Sequence, residues 1–238
     1  MSRIGEKWSA SLSFLIVAGG SGRRMGRALP KQYLEVHGVP ILIHTLRNIS
    51  QLFDQMPEMV LVVPKGDVDF VTNMIEEWGL DHLEIKICTG GSTRYESVWN
   101  GLKECNRELV AVHDAVRPFV TAAMMERLLG ALEEGRRAVV PTIPSVDSIR
   151  LVSDEGSNAP FPRERVQLVQ TPQCFSTEVL KEGYLKFISS PMEHCTDEAS
   201  IVTEMLSESP HLVAGDERNI KITTPKDLIL AEFFAQQV

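Results

Sequence analysis

Leu15-Ile16-Val17-Ala18-Gly19-Gly20-Ser21-Gly22-Arg23-Arg24-Met25, followed by Pro30-Lys31-Gln32-Tyr33, decides the reading of this chain. A short apolar run, of the length of one buried strand, ends in three glycines within four positions and then in paired arginines. Glycine tolerates positive φ and puts no Cβ between backbone and ligand, so successive N–H groups can converge on an anion. Arg23, Arg24 and Lys31 add full positive charges beside that turn. The stretch predicts a strand opening onto a phosphate-binding turn. It is not a P-loop, which needs Gly-Lys-Ser/Thr where this chain has Gly22-Arg23-Arg24. Nor does it fit the dinucleotide fingerprint. The third glycine would fall at Met25, and the next strand, Met59 to Val63, runs into Pro64 without the acid that would hold a ribose. The pattern argues against a nicotinamide cofactor.

Composition sets the outer limits. With 238 residues, 43% of them hydrophobic, the chain is long enough to bury a proper core. It reads as a single domain over 1–238. A net charge of -8 argues against a nucleic-acid partner, because affinity for a phosphate backbone rests on a broad basic surface. The positive charge is local, which suits a small anionic ligand. Cys88, Cys105, Cys174 and Cys195 are widely separated, with no C-x-x-C pair and no zinc-finger spacing, so they read as reduced thiols. The apolar run Phe14 to Ala18 is too short for a signal peptide or a membrane span. These features predict a cytoplasmic protein with no membrane partner, in which Met1 to Ser11 is a loose leader.

Strands and helices then alternate. Helical spacing covers Pro40 to Ile49, and Asp67 is placed to cap a helix through Trp78. Leu83 to Ile87 alternates as a strand, and a helix begins near Arg94. Leu109 to His113 is a buried strand, Thr121 caps a helix to Glu134, and Arg137 to Pro141 is another strand. This rhythm predicts an α/β fold, a Rossmann-like three-layer αβα arrangement around a mostly parallel sheet, with ligands beyond the carboxyl ends of the strands. Residues 142–170 break it. Pro144, Gly156, Pro160 and Pro162 flank alternating pieces at Ser148 to Val152 and Val166 to Val169, which predicts a protruding β-arm formed as a hairpin. A projecting arm calls for a packing partner, and a second copy of the chain, giving a homodimer, is the simplest one. The tail reads as helices at Thr177 to Ile188 and Asp197 to Leu206, a strand at His211 to Ala214, and a last helix from Pro225.

The polar motifs fall in turns: the opening loop, Gly90 to Arg94, His113 to Pro118, Thr171-Pro172-Gln173, Thr196 to Ser200 and Asn219 to Thr223. In this order and over Ile16 to about Phe233, the sequence resembles the 2-C-methyl-D-erythritol 4-phosphate cytidylyltransferases of non-mevalonate isoprenoid synthesis, within the wider nucleotidyltransferase fold. The resemblance implies a transferase that joins a polyol phosphate to the α-phosphate of CTP and releases pyrophosphate. A phosphate monoester has a second pKa of about 6 and needs no general base near neutral pH. What the reaction needs is alignment of two repelling anions and neutralisation of charge on phosphorus and leaving group.

The resemblance assigns Arg24 and Lys31 to that neutralisation, and Arg163 and Lys221 to the acceptor's phosphate. Arg163 lies on the arm, so in the family's arrangement it reaches a neighbouring subunit's site. Ala18, Gly19, Gly20, Gly91, Ser92, Arg94, Ser97 and Ala115 would line the CTP side, while Asp114, Arg117, Ser148, Thr171 and Thr196 would meet the acceptor. His113 reads as a core or supporting residue rather than a base. Mg2+ would arrive on the triphosphate oxygens, and no protein ligand for it is assigned. The chain departs from the family in carrying Ser148 after Asp147 where threonine is expected, and Ser92 where an acid is common. A ribitol 5-phosphate cytidylyltransferase is the alternative acceptor reading. A non-catalytic nucleotide sensor on the same fold is the alternative class.

Overall fold

Residues 3–19, 29–192 and 194–236 are described in the computed structural model of the chain. Strand β1 (Leu12–Val17) is its central element. Leu12, Phe14 and Ile16 enter one hydrophobic cluster and Leu15 the opposite one, the alternation expected of a strand buried on both faces. Helix α1 (Glu6–Ser11) precedes it, and the minute ribbon of β2 (Glu35–Val36) and β3 (Val39–Pro40) follows. Then come α2 (Ile41–Leu52), β4 (Glu58–Val63), α3 (Val68–Glu77), β5 (Lys86–Thr89), α4 (Arg94–Glu104), β6 (Leu109–Asp114) and α5 (Ala122–Glu133). The second half holds β7 (Ala138–Pro144), β8 (Ile149–Val152), β9 (Asn158–Phe161), β10 (Gln167–Val169), β11 (Gln173–Ser176), α6 (Thr177–Ser189), α7 (Glu198–Leu206), β12 (His211–Ala214) and α8 (Pro225–Ala235).

The main sheet runs β10-β7-β11-β6-β1-β4-β5, with β12 also pairing β7. Strands β5, β4, β1 and β6 are mutually parallel, and β11 joins antiparallel between β6 and β7. Side chains of α2, α3 and α5 pack on one face, and those of α4, α6 and α7 on the other. The expected three-layer α/β arrangement is therefore present. From β1 the chain first builds outward through β4 and β5, then returns to lay β6 on the other side. The strand order thus reverses at β1, and the carboxyl ends of β1 and β6 open a crevice where ligands bind in such sheets.

Four expectations need correction. Met1 and Ser2 lie outside the described residues, but from residue 3 to Ser11 the segment is not a loose leader: Ile4 is buried, its N–H donates to the Leu52 carbonyl and its carbonyl accepts from Asp54 N–H, and Glu6–Ser11 is helical. Pairing of β5 begins only at Lys86 rather than at Leu83, because Leu83 ends a 3-10 turn and fills the core. Asp67 precedes α3 but gives it no side-chain cap; its carboxylate accepts from the Tyr33 hydroxyl at 2.8 Å instead. In the arm, Ile149–Val152 pairs with Asn158–Phe161 rather than with the later piece. Gly156, at φ 81°, supplies the left-handed residue that closes this turn, and Ser153 N–H bonds the Ser157 carbonyl across it. Gln167–Val169 returns to the main sheet on β7. The arm is a separate two-stranded sheet, as a protruding hairpin should be. Strand β11, which carries the chain back between β6 and β7, was not foreseen beyond its leading Thr-Pro-Gln turn.

Helix α4 lies so close to the sheet that a Cβ at Gly101 would stand 2.4 Å from Leu15 Cδ1 and 2.5 Å from Val62 Cγ2. Glycine-to-alanine inside a helix normally gains up to about 1 kcal/mol. Both neighbours are fully buried and have no free space to retreat into. Gly101→Ala should therefore lower the unfolding free energy by ~1–3 kcal/mol in urea denaturation. A more stable variant would show that α4 can rise off the sheet at no cost.

Candidate active site

Asp114, the last residue of β6, sits at the crevice between β1 and β6 and is almost buried. Three cations face its carboxylate. Lys221 Nζ lies 2.8 Å from Oδ2, Arg117 Nε 3.6 Å from Oδ2, and Arg94 3.6 Å from Oδ1. Burial alone would raise this carboxyl's pKa, but the combined field of Arg94, Lys221 and Arg117 outweighs it and holds the group far below the usual carboxylate range.

Each cation is held differently. Arg117 is only 8% exposed and donates from Nη1 to the Asn219 carbonyl at 2.8 Å. Arg94 forks onto Glu198 with bonds of 2.6 and 3.0 Å, and the Tyr184 hydroxyl donates to the same carboxylate. Glu198 is 0% exposed, at the first position of α7 behind the Asp197 cap. Gln173 fixes that helix start by donating to Asp197 and accepting from Ala199 N–H. The side chains of Lys221 and Arg94 are 37% and 34% exposed, but Lys221 has no second carboxylate to hold it as Glu198 holds Arg94. Three cations against two carboxylates leave an excess positive charge in a chain of net charge -8. That excess suits an anionic ligand.

A chain of hydrogen bonds supports Asp114 from beneath. His113 is fully buried, with Nε2 at 2.9 Å from the Arg117 carbonyl and Nδ1 at 3.0 Å from Thr171 Oγ1. A carbonyl only accepts, so Nε2 carries the proton and Nδ1 accepts the threonine hydroxyl's proton. Thr171 Oγ1 in turn accepts Asp114 N–H at 3.1 Å. Burial pushes the imidazole down to about 4, so it is neutral, with both nitrogens committed. It cannot act as a base on a ligand in this state.

The glycine turn and its partners stand along the same edge. Ala18 N–H bonds Val62 O, Ala115 N–H bonds Val17 O, and Gln32 Nε2 donates to Ala18 O at 2.6 Å. Gln32 thus carries Lys31, in the 3-10 turn Lys31–Tyr33, to the end of β1. Gly90 and Gly91 let the next turn lie against α4, where a Cβ would meet Ser97 Oγ at 2.7 Å or Glu96 Cβ at 2.3 Å. Thr93 and Glu96 form a capping box, Ser92 donates its N–H and hydroxyl to Glu96, and Ser97 Oγ accepts Gly91 N–H and donates to Thr93 O.

Sequence reading thus named most of the residues that converge: Ala18, Gly19, Gly91, Arg94, Asp114, Ala115, Arg117, Thr171 and Lys221. The donors of Ser92, Ser97 and Thr171 bond within the protein, so these side chains shape the crevice rather than stand free in it. Gly20 and Arg24 lie outside the described residues. Arg163 and Ser148 are exposed at the base of the arm, where Arg163 Nη1 donates to Val146 O at 2.9 Å and neither residue bonds the Asp114 cluster. Thr196 is exposed just before the Asp197 cap. The sequence motifs assign no role to Glu198, Gln173, Gln32 or Asn219. Each sits inside a quoted motif, but nothing in the local pattern says that it faces inward.

Residues 12–237 match the family described as 2-C-methyl-D-erythritol 4-phosphate cytidylyltransferase. A protein of that name from Bacteroides thetaiotaomicron is 43% identical over 219 residues, covering 91% of this chain and 95% of its own length. Another from Syntrophus aciditrophicus is 41% identical over 228 residues, covering 94% and 95%. Among solved structures, the 4-diphosphocytidyl-2C-methyl-D-erythritol synthase of Anaerococcus prevotii superposes with TM-score 0.81 at 31% identity, covering 96% of this chain and 97% of its own. The 2-C-methyl-D-erythritol 4-phosphate cytidylyltransferase of Thermus thermophilus gives 0.77 at 33% identity, covering 95% and 99%.

The depressed imidazole makes a signed prediction. Between about 4 and its ordinary 6.5, the unfolded chain binds a proton at His113 that the folded chain refuses. The stability from this group is complete above pH 6.5 and is lost as pH falls toward 4, at up to about 1.4 kcal/mol per pH unit. His113→Asn should remove about one proton from the pH dependence of urea unfolding between pH 7 and pH 5. An unchanged slope would place the titration at another residue.

Proposed function

The chain belongs to the 2-C-methyl-D-erythritol 4-phosphate cytidylyltransferase family, and we propose how its crevice carries out that reaction. It is a CTP-dependent cytidylyltransferase that transfers the cytidylyl group of CTP to 2-C-methyl-D-erythritol 4-phosphate, an isoprenoid-precursor step. These relatives do not favour ribitol 5-phosphate as acceptor. An oxygen of the acceptor phosphate forms the new bond to the α-phosphorus as the bond to the β-phosphate oxygen breaks, and pyrophosphate leaves with that electron pair. No proton need move, because the acceptor is largely dianionic near neutral pH.

The observation that carries the residue assignment is the Asp114 cluster at the β1–β6 crevice, next to Gly19. Lys221 is the cation free enough to turn from Asp114 to the acceptor phosphate, while the Asp114 carboxylate accepts from the polyol hydroxyls. The backbone of Ala18, Gly19 and Gly91 lines the CTP side, with Arg94 locked beside it. Arg24 and Lys31 neutralise the transferring phosphorus and departing pyrophosphate. Magnesium enters as the counter-ion of CTP. The crevice offers it little of its own, since Asp114 is already faced by three cations. Among the described residues no helix is long and apolar enough to cross a membrane, and all four cysteines are free, which supports a cytoplasmic setting.

The active unit we propose is a homodimer. The arm exposes Val146, Leu151 and Val152, and β10 beside it exposes Leu168 and Val169. Such a row of apolar side chains invites a second copy. Arg163 at the arm's base would then reach the partner's crevice. Pyrophosphate release should be confined to CTP with 2-C-methyl-D-erythritol 4-phosphate, against ribitol 5-phosphate and against ATP, GTP and UTP. Faster release with ribitol 5-phosphate would overturn the acceptor assignment.

Lys31→Ala should reduce kcat by about 100-fold or more with little change in CTP affinity, as expected of a contact made mainly in the transition state. An unchanged kcat in single-turnover assays would remove Lys31 from the chemistry. Arg163→Met and Lys31→Ala proteins, each inactive alone, should regain activity in mixed dimers, where one crevice has both residues intact. Verified mixed dimers without recovery would confine Arg163 to its own subunit.

A further inference from the structure

A cavity of about 610 Å3 lies between α2, the segment Pro118 to Ala123, Arg218 and the end of α8. Its size is that of small-molecule sites, roughly 300–1,000 Å3, and nothing in the cytidylyl-transfer reaction uses it. Leu52, Phe119, Val120 and Ala123 give it an apolar wall. Its polar lining comes from His44, Arg47, Asn48, Gln51, Thr121 and Arg218, and none of the described residues lining it is acidic, in a chain of net charge -8.

Neither guanidinium has an ion pair among the described residues. Arg47 rests over the Trp78 ring, 4.9 Å from its centroid, with one bond to the Trp78 carbonyl at 3.3 Å. Arg218 lies 5.8 Å over Phe234, and its Nε is a buried donor with no partner. Asp216, two residues before Arg218, is taken by Arg218 N–H at 2.9 Å and the Thr121 hydroxyl at 3.1 Å, and Glu232, near His44, pairs with His37. Helix α5 also begins here, and the N–H groups of Ala122 and Ala123 have no acceptor among the described residues. Two unpaired guanidinia, an orphan buried donor and an apolar wall describe one kind of guest: a compact apolar body carrying a carboxylate, sulfonate or phosphate.

The walls are continuous with the catalytic crevice. Pro118 follows Arg117 directly, and Arg218 precedes Asn219, whose carbonyl holds Arg117 Nη1 at 2.8 Å, with Lys221 two residues on. The Thr121–Asp216 bond ties the two walls together. We propose that this cavity is a binding site for a small amphiphilic anion and that its occupancy alters how Arg117 and Lys221 hold the acceptor at Asp114.

The test is calorimetric titration of the full chain with 1-naphthalenesulfonate in saturating CTP and magnesium, with the neutral 2-naphthalenemethanol as comparison. Binding should be one to one, at least tenfold weaker for the neutral analogue, and at least tenfold weaker in the Arg47→Gln/Arg218→Gln double variant. Ala123→Trp, which fills the cavity and keeps both arginines, should abolish it, so the result does not depend on the double variant folding. The bound probe should shift KM for the acceptor at least twofold in the parent and not in Ala123→Trp. Binding that survives both variants, that saturating CTP displaces, or that leaves KM unmoved would overturn the proposal. The calorimetric arm is independent of which polyol phosphate is the acceptor.

Discussion

The Asp114 carboxylate, nearly buried and faced by Arg94, Arg117 and Lys221, is the constraint from which the rest of the site follows. Removing an ion from water costs several kcal/mol even after relaxation, so a charge in this position persists only where counter-charges are already in place. The three cations come from distant parts of the chain: the start of α4, the turn after β6, and the segment before α8. Satisfying one carboxylate therefore fixes three loops relative to the end of β6. The dependence is mutual, because Arg117 at 8% exposure would itself be a costly charge without Asp114.

A fully compensated cluster would have no appetite for a phosphate, and the fold avoids that outcome by dividing the cations. Arg94 is held bidentately by a carboxylate of its own, Glu198, and Arg117 is held by the Asn219 carbonyl. Both are fixed in direction. Lys221 has the shortest contact to Asp114 and the largest exposed fraction of the three, and a lysine's point charge reorients without losing a fork geometry. The arginines are tied in direction, and the lysine is the cation of the three with no further partner besides Asp114 among the described residues. Glu198 makes this division possible, since without it Arg94 would compete with Lys221 for Asp114.

The parts of this arrangement that the sequence made legible are those with a short-range signature. Apolar runs marked β1, β4 and β6, and glycines marked the turns at Gly19 and Gly91, because a turn lying flush against a neighbouring helix needs residues without a Cβ. Asp114, Arg94, Arg117 and Lys221 were recognisable through the family's motifs. Illegible were the features set by contacts distant in sequence. Ile4 is one apolar residue in a polar leader, and only the Leu52 and Asp54 backbone groups waiting for it make it a structural anchor. The arm's true return strand, Asn158 to Phe161, is hidden in the sequence because it contains Pro160 and lacks a β pattern; at the edge of a free hairpin a missing N–H costs little. Glu198 and Gln173 look like solvated polar residues until the fold brings Arg94 and Asp197 to them.

His113 shows how one site excludes a chemistry while permitting another. A histidine one residue from a buried, ion-paired aspartate invites assignment as a base, and its sequence neighbourhood does not forbid it. The fold does, by engaging both nitrogens and leaving the ring neutral and out of solvent. The same two bonds do constructive work. One fixes the Arg117 carbonyl and hence the turn that aims the guanidinium. The other orients the Thr171 hydroxyl so that its oxygen accepts Asp114 N–H. A reaction whose nucleophile is already ionised needs no proton taken from it, and in such a site an imidazole is more useful as a brace than as a base. Precision in placing Asp114 then matters more than any titrating group, because the task is to hold two anions in line against their repulsion.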